Sequence, residues 1–310
     1  MERPFDTGGA RAMEVPRQLL RAMRPKEWVK NVFVFAALAF SVERLWTNPS
    51  ILLQVTLAAV AFCLAASAIY LINDLVDIEK DRAHPVKRNR PLASGKLSPN
   101  VAASAAVVLI GAALALAYAI APDFGFMSII AAYFVVQGLL YSYWLKNVVI
   151  FDILILAAGF VLRAIGGALV IKVSITPWLL VCMGLLALFL GIGKRRQELV
   201  LLEGGAGEHR RILAEYSVPM LDQMISIITA SIVMAYSITT YLAPAAPQKP
   251  FPLLMITIPF VVYGIFRYLY LIHQRNGGGS PTELLLKDRP LAASVLLWGL
   301  CVLAIQFFFR

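Results

Sequence analysis

Long, unbroken runs of apolar residues constrain the fold of this chain more than any other feature. Nine such runs approach the roughly 20 residues that a helix needs to cross a bilayer. Charged residues make up only 15% of the 310 residues, whereas about a quarter is usual in a soluble domain. The runs also lack the alternation of membrane β-barrel strands. The sequence therefore predicts an all-α polytopic membrane protein and excludes a soluble enzyme.

The predicted transmembrane helices are 31–47, 51–73, 101–121, 126–145, 149–171, 176–193, 220–242, 252–273 and 291–308. Residues 1–30 are predicted to form a cytoplasmic N-terminal segment, and residues 31–310 a transmembrane catalytic domain. Within the first segment, residues 15–27 mix apolar and basic side chains. This pattern favours a short amphipathic helix at the membrane interface, with a plain basic flank as the alternative.

Basic residues predict the orientation of the bundle, because cytoplasmic loops are enriched in Lys and Arg. With a cytoplasmic N-terminus, the outer side holds few of the 28 basic residues, namely Arg44, Lys172, Lys249 and Arg310. We therefore expect a plasma-membrane protein with its N-terminus and active site in the cytoplasm and its C-terminus outside. The net charge of +10 then reflects loops beside anionic lipid and gives no reason to expect a nucleic-acid partner.

The sharpest motif is N-D-x-x-D-x-x-x-D, which begins at Asn73 directly after the second predicted span. In a continuing helix, offsets of three and seven place Asp74, Asp77 and Asp81 on one face. Three carboxylates on one stripe repel each other unless a cation lies between them. Such oxygen ligands suit Mg²⁺, which can bridge them to substrate phosphates. We therefore predict catalytic metal ligands at these three residues, aided by Asn73, with a solvated helix end as the alternative.

A basic loop follows the acidic motif. Lys87, Arg88 and Arg90 lie within four residues, in a stretch fixed by Pro85 and Pro91. Guanidinium groups donate pairs of hydrogen bonds to phosphate oxygens. The loop is therefore predicted to bind phosphate, although the general enrichment of basic residues in cytoplasmic loops would explain any one of them.

The acidic motif, followed by this loop and by N-R-P-L-A-S-G at residues 89–95, resembles the UbiA superfamily of intramembrane prenyltransferases. The resemblance covers essentially the whole chain. It implies a UbiA-like bundle of nine helices with a cytoplasm-facing site where Mg²⁺ holds a diphosphate. Most members carry another D-x-x-x-D after the sixth span, where this chain has K-R-R-Q-E at residues 194–198. This departure implies an anion site in place of a second metal site and disfavours ordinary prenyl transfer.

Further stretches, among them R-P-K-E-W-V-K-N at residues 24–31, resemble one branch of this family. That branch transfers 5-phosphoribose from phosphoribosyl diphosphate (PRPP) to a decaprenyl-type polyprenyl phosphate, for cell-wall arabinan synthesis. The partners implied are PRPP, polyprenyl phosphate and membrane lipid, and a homo-oligomer is left open. The resemblance and the need for many phosphate-binding cations add substrate-binding residues at Lys30, Tyr141, Lys146, Lys194, Arg195, Glu198, Asp288 and Arg289.

Two ionisable residues, Asp152 and Arg163, fall inside the fifth predicted span, where charge is costly. They share a helix face but lie about 16 Å apart along its axis, so we expect no direct pair. Asp152 is expected to bind ribose hydroxyls, and Arg163 to bond backbone carbonyls of a neighbouring helix. Asp288 has a simpler alternative role as the cap of the last helix.

Two other functions stay open. One is prenyl transfer from a prenyl diphosphate to an aromatic or lipid acceptor, and the other is anion transport without chemistry. Against transport, the ionisable residues collect on one predicted side and no internal repeat is visible. His84, His209 and His273 are scattered and are interpreted as solvated, with His84 left open as an exception because it lies in the basic loop. The glycine-rich segments 204–207 and 277–280 are either loops over the site or linkers.

Overall fold

The computed structural model describes residues 7–41, 45–201, 211–242, 251–275 and 281–309. Within these ranges every regular element is a helix and no strand occurs. Eight helices are long and apolar enough to cross a membrane. The predicted all-α membrane fold is therefore confirmed. His209 and both glycine-rich segments lie outside the described residues.

The principal helices, numbered in chain order, are α1 (Thr7–Ala22), α2 (Pro49–Val76), α3 (Ile78–Ala83), α4 (Pro99–Ile120), α5 (Gly125–Tyr143), α6 (Phe151–Val170), α7 (Pro177–Leu201), α8 (Val218–Leu242), α9 (Ile258–Gln274), α10 (Pro281–Lys287) and α11 (Arg289–Phe308). Shorter helical segments are Pro25–Phe35, Ala36–Ala39, Leu45–Thr47, Lys87–Asn89, Leu145–Asn147, Arg211–Glu215 and Leu253–Thr257. Within α5, Phe134–Leu140 is π-helical.

The first predicted span, 31–47, is not one membrane-length helix in the described part of the chain. A 3-10 helix, Pro25–Phe35, leads into a single α-turn, Ala36–Ala39. The stretch from 31 to 47 is shorter than the roughly 20 residues of a full span, and it carries the buried polar side chains of Asn31 and Ser41. The nine-helix count therefore becomes eight long helices among the described residues.

A helix does occupy part of the stretch 15–27, but it is shifted towards the N-terminus, and its place at the membrane interface stays a prediction. It is the last part of α1, which ends at Ala22, before Pro25. Residue 24 precedes a proline and therefore disfavours the α conformation. The residues from 25 onward belong to the 3-10 helix instead.

The chain divides into two compact units, one of residues 1–32 and 57–145 and the other of residues 33–56 and 146–310. In the first unit, small and aliphatic side chains of α1, α2, α4 and the loop after α3 form a core, namely Ala22, Ala68, Leu71, Leu92, Leu97, Ala102 and Ala106. Because Leu92 and Leu97 are buried there, the core anchors the basic loop that precedes them.

In the second unit, α6, α7, α8, α9 and α11 share a large apolar cluster, which includes Ile153, Phe189, Leu221, Ile265 and Leu291. Val34, in the 3-10 helix Pro25–Phe35, packs directly on α6. A Cβ atom placed on Gly167 would lie 1.9 Å from the Val34 carbonyl oxygen. Only glycine allows the two backbones to approach this closely.

We expect Gly167→Ala to destabilise the protein by about 1–3 kcal/mol, because the added methyl group overlaps a backbone carbonyl that cannot easily move. Thermal unfolding of the detergent-purified chain measures the effect. Gly111→Ala on α4 is the matched control, since nothing lies within 4 Å of a Cβ at that position. Equal melting temperatures for the two variants would contradict the close packing at Gly167.

Candidate functional site

The acidic motif lies where α2 ends and α3 begins. Asp77 separates the two helices with φ −102° and ψ 12°, outside the α-helical range. The expectation of one helix continuing through the motif is therefore wrong. Because the helix breaks at Asp77, the offsets of three and seven no longer guarantee that all three carboxylates share a face.

Two of the three carboxylates converge. Asp74 and Asp81 are 2% and 4% exposed, and a single guanidinium nitrogen, Arg90 Nη1, lies 3.2 Å from Asp74 Oδ1 and 2.6 Å from Asp81 Oδ2. The Asp77 carboxylate instead lies 4.0 Å from the ammonium group of Lys80. Among the described residues, no three acidic, His or Cys side chains are grouped closely enough to hold a metal. The expected three-carboxylate cluster is thus reduced to a pair.

A second guanidinium reaches this pair from the N-terminal segment. Arg24 forms an ion pair with Asp74 Oδ1, and its guanidinium carbon lies 4.8 Å from the centre of the Tyr70 ring. Tyr70 and Asp74 are four residues apart on α2 and so lie on the same face. Sequence reasoning assigned only Lys30 of this segment to the site. The signal for Arg24 was its place at the start of the R-P-K-E-W-V-K-N stretch.

Lys30 and Asn73 have partners of their own in the first unit. The Lys30 ammonium lies 2.6 Å from Glu27 Oε2, so this lysine is bound within its own segment. Asn73 Oδ1 accepts a hydrogen bond of 2.5 Å from the Ser142 hydroxyl on α5. This contact fixes the side-chain amide of Asn73, the residue before Asp74. Tyr141, the residue before Ser142, is half-buried.

The basic loop is shaped by His84 and anchored by buried residues. His84 Nδ1 accepts the backbone N–H groups of Val86 and Lys87 at 3.1 and 3.3 Å, so this histidine organises a turn and is not merely solvated. Lys87 is half-buried and Arg88 is exposed. Of the three predicted phosphate ligands, Arg90 is the one that the structure brings to the carboxylates.

The second unit contains a separate buried cluster around Asp152. This carboxylate is fully buried. Its Oδ2 accepts from Arg195 Nε and its Oδ1 from the Tyr216 hydroxyl, both at 2.7 Å. Tyr216 in turn accepts the Ile150 backbone N–H at 2.7 Å. Both oxygens of Asp152 are therefore engaged within the protein, and the expected contact with ribose hydroxyls stays a prediction.

Arg195 is also buried, at 2% exposure, and its Nη1 donates to Glu198 Oε2 at 2.7 Å. Two carboxylates thus compensate its charge, whereas Lys194, the first basic residue of the predicted anion site, is exposed. Burial, followed by the hydrogen bond to Asp152, raises the pKa of Tyr216, so its hydroxyl stays protonated and donates. Tyr216 was missed from sequence because no motif surrounds it.

Lys146 and Arg163 are two further buried basic residues of the second unit, at 7% and 5% exposure. Arg163 Nη1 donates to the Gly159 carbonyl at 2.8 Å. This carbonyl partner lies on Arg163's own helix, and the expected bonds to a neighbouring helix stay a prediction. The Arg163 side chain points back towards the N-terminus of its helix, as helical side chains do, and so meets the carbonyl four residues earlier.

Asp288 caps the N-terminus of α11, which is the simpler role considered from the sequence. Its Oδ1 accepts the Leu291 N–H at 2.9 Å, and Arg267 donates to both carboxylate oxygens at 3.1 and 2.8 Å. The Arg267 hydrogen bond lowers the pKa of Asp288. The neighbouring Arg289 is exposed. A substrate role for this pair stays a prediction.

Another polar cluster, unmarked by any motif, joins α7, α8 and α9. Arg196 Nε lies 2.5 Å from Asp222 Oδ1, and His273 Nε2 lies 3.2 Å from the same oxygen. His273 is therefore paired with a carboxylate. No local sequence pattern indicates this contact, because the partners are distant along the chain.

Comparisons with known proteins agree with the resemblance seen in the sequence. The sequence model described as the UbiA prenyltransferase family matches residues 31–284. A protein named decaprenyl-phosphate phosphoribosyltransferase from Corynebacterium glutamicum is 33% identical over 286 residues, which cover 92% of this chain and 85% of that protein. A protein of the same name from Mycolicibacterium smegmatis is 34% identical over 293 residues, covering 90% and 89%.

Among solved structures, a UbiA homolog from Archaeoglobus fulgidus bound to DMAPP and Mg²⁺ matches with a TM-score of 0.71. The match covers 94% of this chain and 100% of that one at 19% identity. At this identity the likeness shows the fold alone. That protein of the same fold binds both DMAPP and Mg²⁺.

We expect Arg195→Met to destabilise the protein by about 3–5 kcal/mol, because it leaves the carboxylate of Asp152 buried without its cationic partner. Tyr216→Phe removes only a hydroxyl and should cost about 1–3 kcal/mol, since the Ile150 N–H and Asp152 Oδ1 lose their partner. Thermal unfolding in detergent gives both values. Lys194→Met is the control for the same charge change at an exposed neighbour, and a melting temperature as low as that of Arg195→Met would refute the buried network.

Proposed function

Because the chain belongs to the UbiA prenyltransferase family, we propose that it is the transferase that moves 5-phosphoribose from PRPP to a decaprenyl-type polyprenyl phosphate and releases diphosphate. The chain is a multi-pass membrane enzyme of this family. Within the proposal, its active site faces the cytoplasm from the plasma membrane, and its product serves cell-wall arabinan synthesis. The excess of basic residues on one predicted side supports this orientation.

One observation of the structure supports the proposal most strongly. At the end of α2, two buried carboxylates, Asp74 and Asp81, and two guanidiniums, Arg24 and Arg90, converge on one position. Carboxylate oxygens suit a divalent cation, and guanidinium groups suit phosphate oxygens. A leaving diphosphate binds both kinds of partner through its oxygens: the metal that the carboxylates would hold, and the guanidinium groups.

The residues present fit Mg²⁺ by their chemistry. Asp74 and Asp81 offer hard oxygen ligands that point to a shared cation position, now taken by Arg90. Asp77 is the third ligand expected from the sequence. When bound, Mg²⁺ would neutralise the negative charge that develops on a leaving diphosphate.

The side chains around these carboxylates would orient the donor. Arg90 and its neighbours Lys87 and Arg88 would donate hydrogen bonds to phosphate oxygens, with Arg90 already placed at the carboxylates. Asn73, fixed by Ser142, would hold the edge of the site beside Asp74. Positioning and electrostatic stabilisation of this kind account for most of the rate in phosphate-linked transfers.

The reaction requires little acid–base catalysis from the protein. An oxygen of the lipid phosphate forms a bond to the anomeric carbon of the ribose, while the bond from that carbon to the diphosphate breaks and its electron pair leaves with the diphosphate. The attacking phosphate is already anionic near neutral pH, so no general base is required. The ribose passes through an oxocarbenium-like state, and attack opposite the leaving group inverts the configuration.

The basic stretch at residues 194–198 and the names of the similar proteins favour phosphoribosyl over prenyl transfer. PRPP and a lipid phosphate together bring more negative charge than one prenyl diphosphate and a neutral acceptor. The chain meets this demand with further basic residues, predicted from sequence to bind phosphate groups, at Lys30, Lys146, Lys194 and Arg289. Membership of a transferase family removes the transport alternative, and prenyl transfer remains as an outcome of the test.

Purified full-length protein with radiolabelled PRPP, Mg²⁺ and polyprenyl phosphates of several lengths should produce a labelled lipid. Asp74→Asn and Asp81→Asn should each lower turnover by about 100-fold or more, because each weakens the binding of the Mg²⁺ that would neutralise the leaving diphosphate. Asp77→Asn tests the third ligand in the same assay.

Glu79→Gln is the matched control, because this exposed carboxylate pairs with Arg82 one turn along α3 and contacts neither Asp74 nor Asp81. Full activity of the Asp74→Asn enzyme would overturn the metal assignment. Consumption of a prenyl diphosphate, with no label transferred from PRPP, would establish the prenyl-transfer alternative instead.

A further inference from the structure

The segment from Arg24 to Asn31 is fastened along one face of α2. The Asn31 amide donates to Cys63 Sγ at 2.9 Å, and the Trp28 indole N–H donates to the Ser67 hydroxyl at 3.1 Å. The partners on α2 are spaced so that they follow a single stripe of the helix. The segment therefore runs along this stripe towards the acidic end of α2.

Arg24 continues the same stripe at its acidic end. Its guanidinium lies over Tyr70 and pairs with Asp74, which are the next two positions of the stripe after Ser67. Its backbone has φ 54°, in the left-handed region that non-glycine residues seldom adopt. This conformation makes the turn from α1 into the 3-10 helix. The contacts of Asn31, Trp28 and Arg24 with α2, together with the turn at Arg24, thus position this guanidinium at the Asp74 carboxylate.

Arg24 and Arg90 both contact the same oxygen, Asp74 Oδ1. A metal ion that approached this oxygen would meet two guanidinium charges within hydrogen-bond distance of it. Like charges at such separations repel strongly where water is scarce, and Asp74 is 2% exposed. A guanidinium must therefore leave Asp74 Oδ1 before this oxygen can bind a metal.

A diphosphate offers the departing guanidinium a new partner. Its oxygens accept paired hydrogen bonds from an arginine as a carboxylate does. Arg24 is the residue better suited to leave. It contacts one carboxylate of the pair, whereas Arg90 bridges both, and Tyr70 can keep the guanidinium stacked as it shifts.

We propose that Arg24 makes metal binding conditional on diphosphate: its guanidinium blocks Asp74 in the empty enzyme and moves to a phosphate oxygen when the diphosphate and the metal enter together. This inference rests on the metal–diphosphate site of the proposed function. It adds that the empty enzyme binds a divalent metal weakly, and that the N-terminal segment sets the order of binding.

The two halves of the proposal predict opposite effects of one substitution. Arg24→Gln removes the block, so the affinity for Mn²⁺ alone, followed by the loss of the free-ion electron paramagnetic resonance signal, should rise about tenfold. The same variant lacks the phosphate partner, so the affinity for radiolabelled inorganic diphosphate at saturating Mg²⁺ should fall about tenfold. Both measurements use the full-length chain and neither depends on turnover.

Arg82→Gln is the matched control. This arginine on α3 belongs to the same acidic region, but it pairs with Glu79 at 2.7 Å and bonds the Ala93 carbonyl, and contacts neither Asp74 nor Asp81. Its substitution removes the same unit of charge. A general field effect would therefore change both variants alike, whereas the proposal predicts a gain in Mn²⁺ affinity for Arg24→Gln alone.

A Mn²⁺ affinity of Arg24→Gln equal to that of Arg82→Gln would overturn the proposal. So would a loss of both affinities, because Arg24 would then merely hold Asp74 in place. Should Arg24→Gln fail to fold, Arg24→Met removes the charge but keeps an apolar side chain over Tyr70. Its Mn²⁺ affinity should then rise about tenfold, and no rise refutes the block. Because neither probe is PRPP or lipid, failure here is distinguishable from failure of phosphoribose transfer.

Discussion

The structure of the candidate site depends on the cost of burying carboxylates at the end of a membrane helix. An isolated buried carboxylate is expensive, and it persists only with cationic or hydrogen-bonding partners. Asp74 and Asp81 meet this demand with Arg24 and Arg90. Asp152 meets it with Arg195 and Tyr216. The residues that the structure describes thus include two such clusters, one in each compact unit.

The two clusters differ in what they can exchange. In the first unit the guanidiniums are 28% exposed beside nearly buried carboxylates, so they can trade a carboxylate for an incoming anion. In the second unit Arg195 is 2% exposed and bound on two sides, which is typical of a structural centre. The exchangeable charges therefore lie with the acidic motif, where a metal and a diphosphate would replace contacts that the protein now makes with itself.

Much of the fold could be predicted from the sequence, because transmembrane helices follow from local runs of apolar residues. Eight of the predicted spans are long helices, and the acidic motif correctly marked where α2 ends. The helix break at Asp77 could not be predicted, because residues 73–81 contain no glycine or proline. Arg24 pairs with a residue 50 positions away, and Tyr216 with one 64 positions away. Such contacts arise from packing and not from any local pattern, so sequence reasoning missed both residues.

An experimental density map of the full-length protein with PRPP and Mn²⁺, with the metal located by its anomalous scattering, tests the central claim most directly. The account predicts a metal peak bound by oxygens of Asp74 and Asp81, with Arg24 and Arg90 on the diphosphate. A metal peak elsewhere, or bound PRPP with both arginines still paired to Asp74, would contradict it.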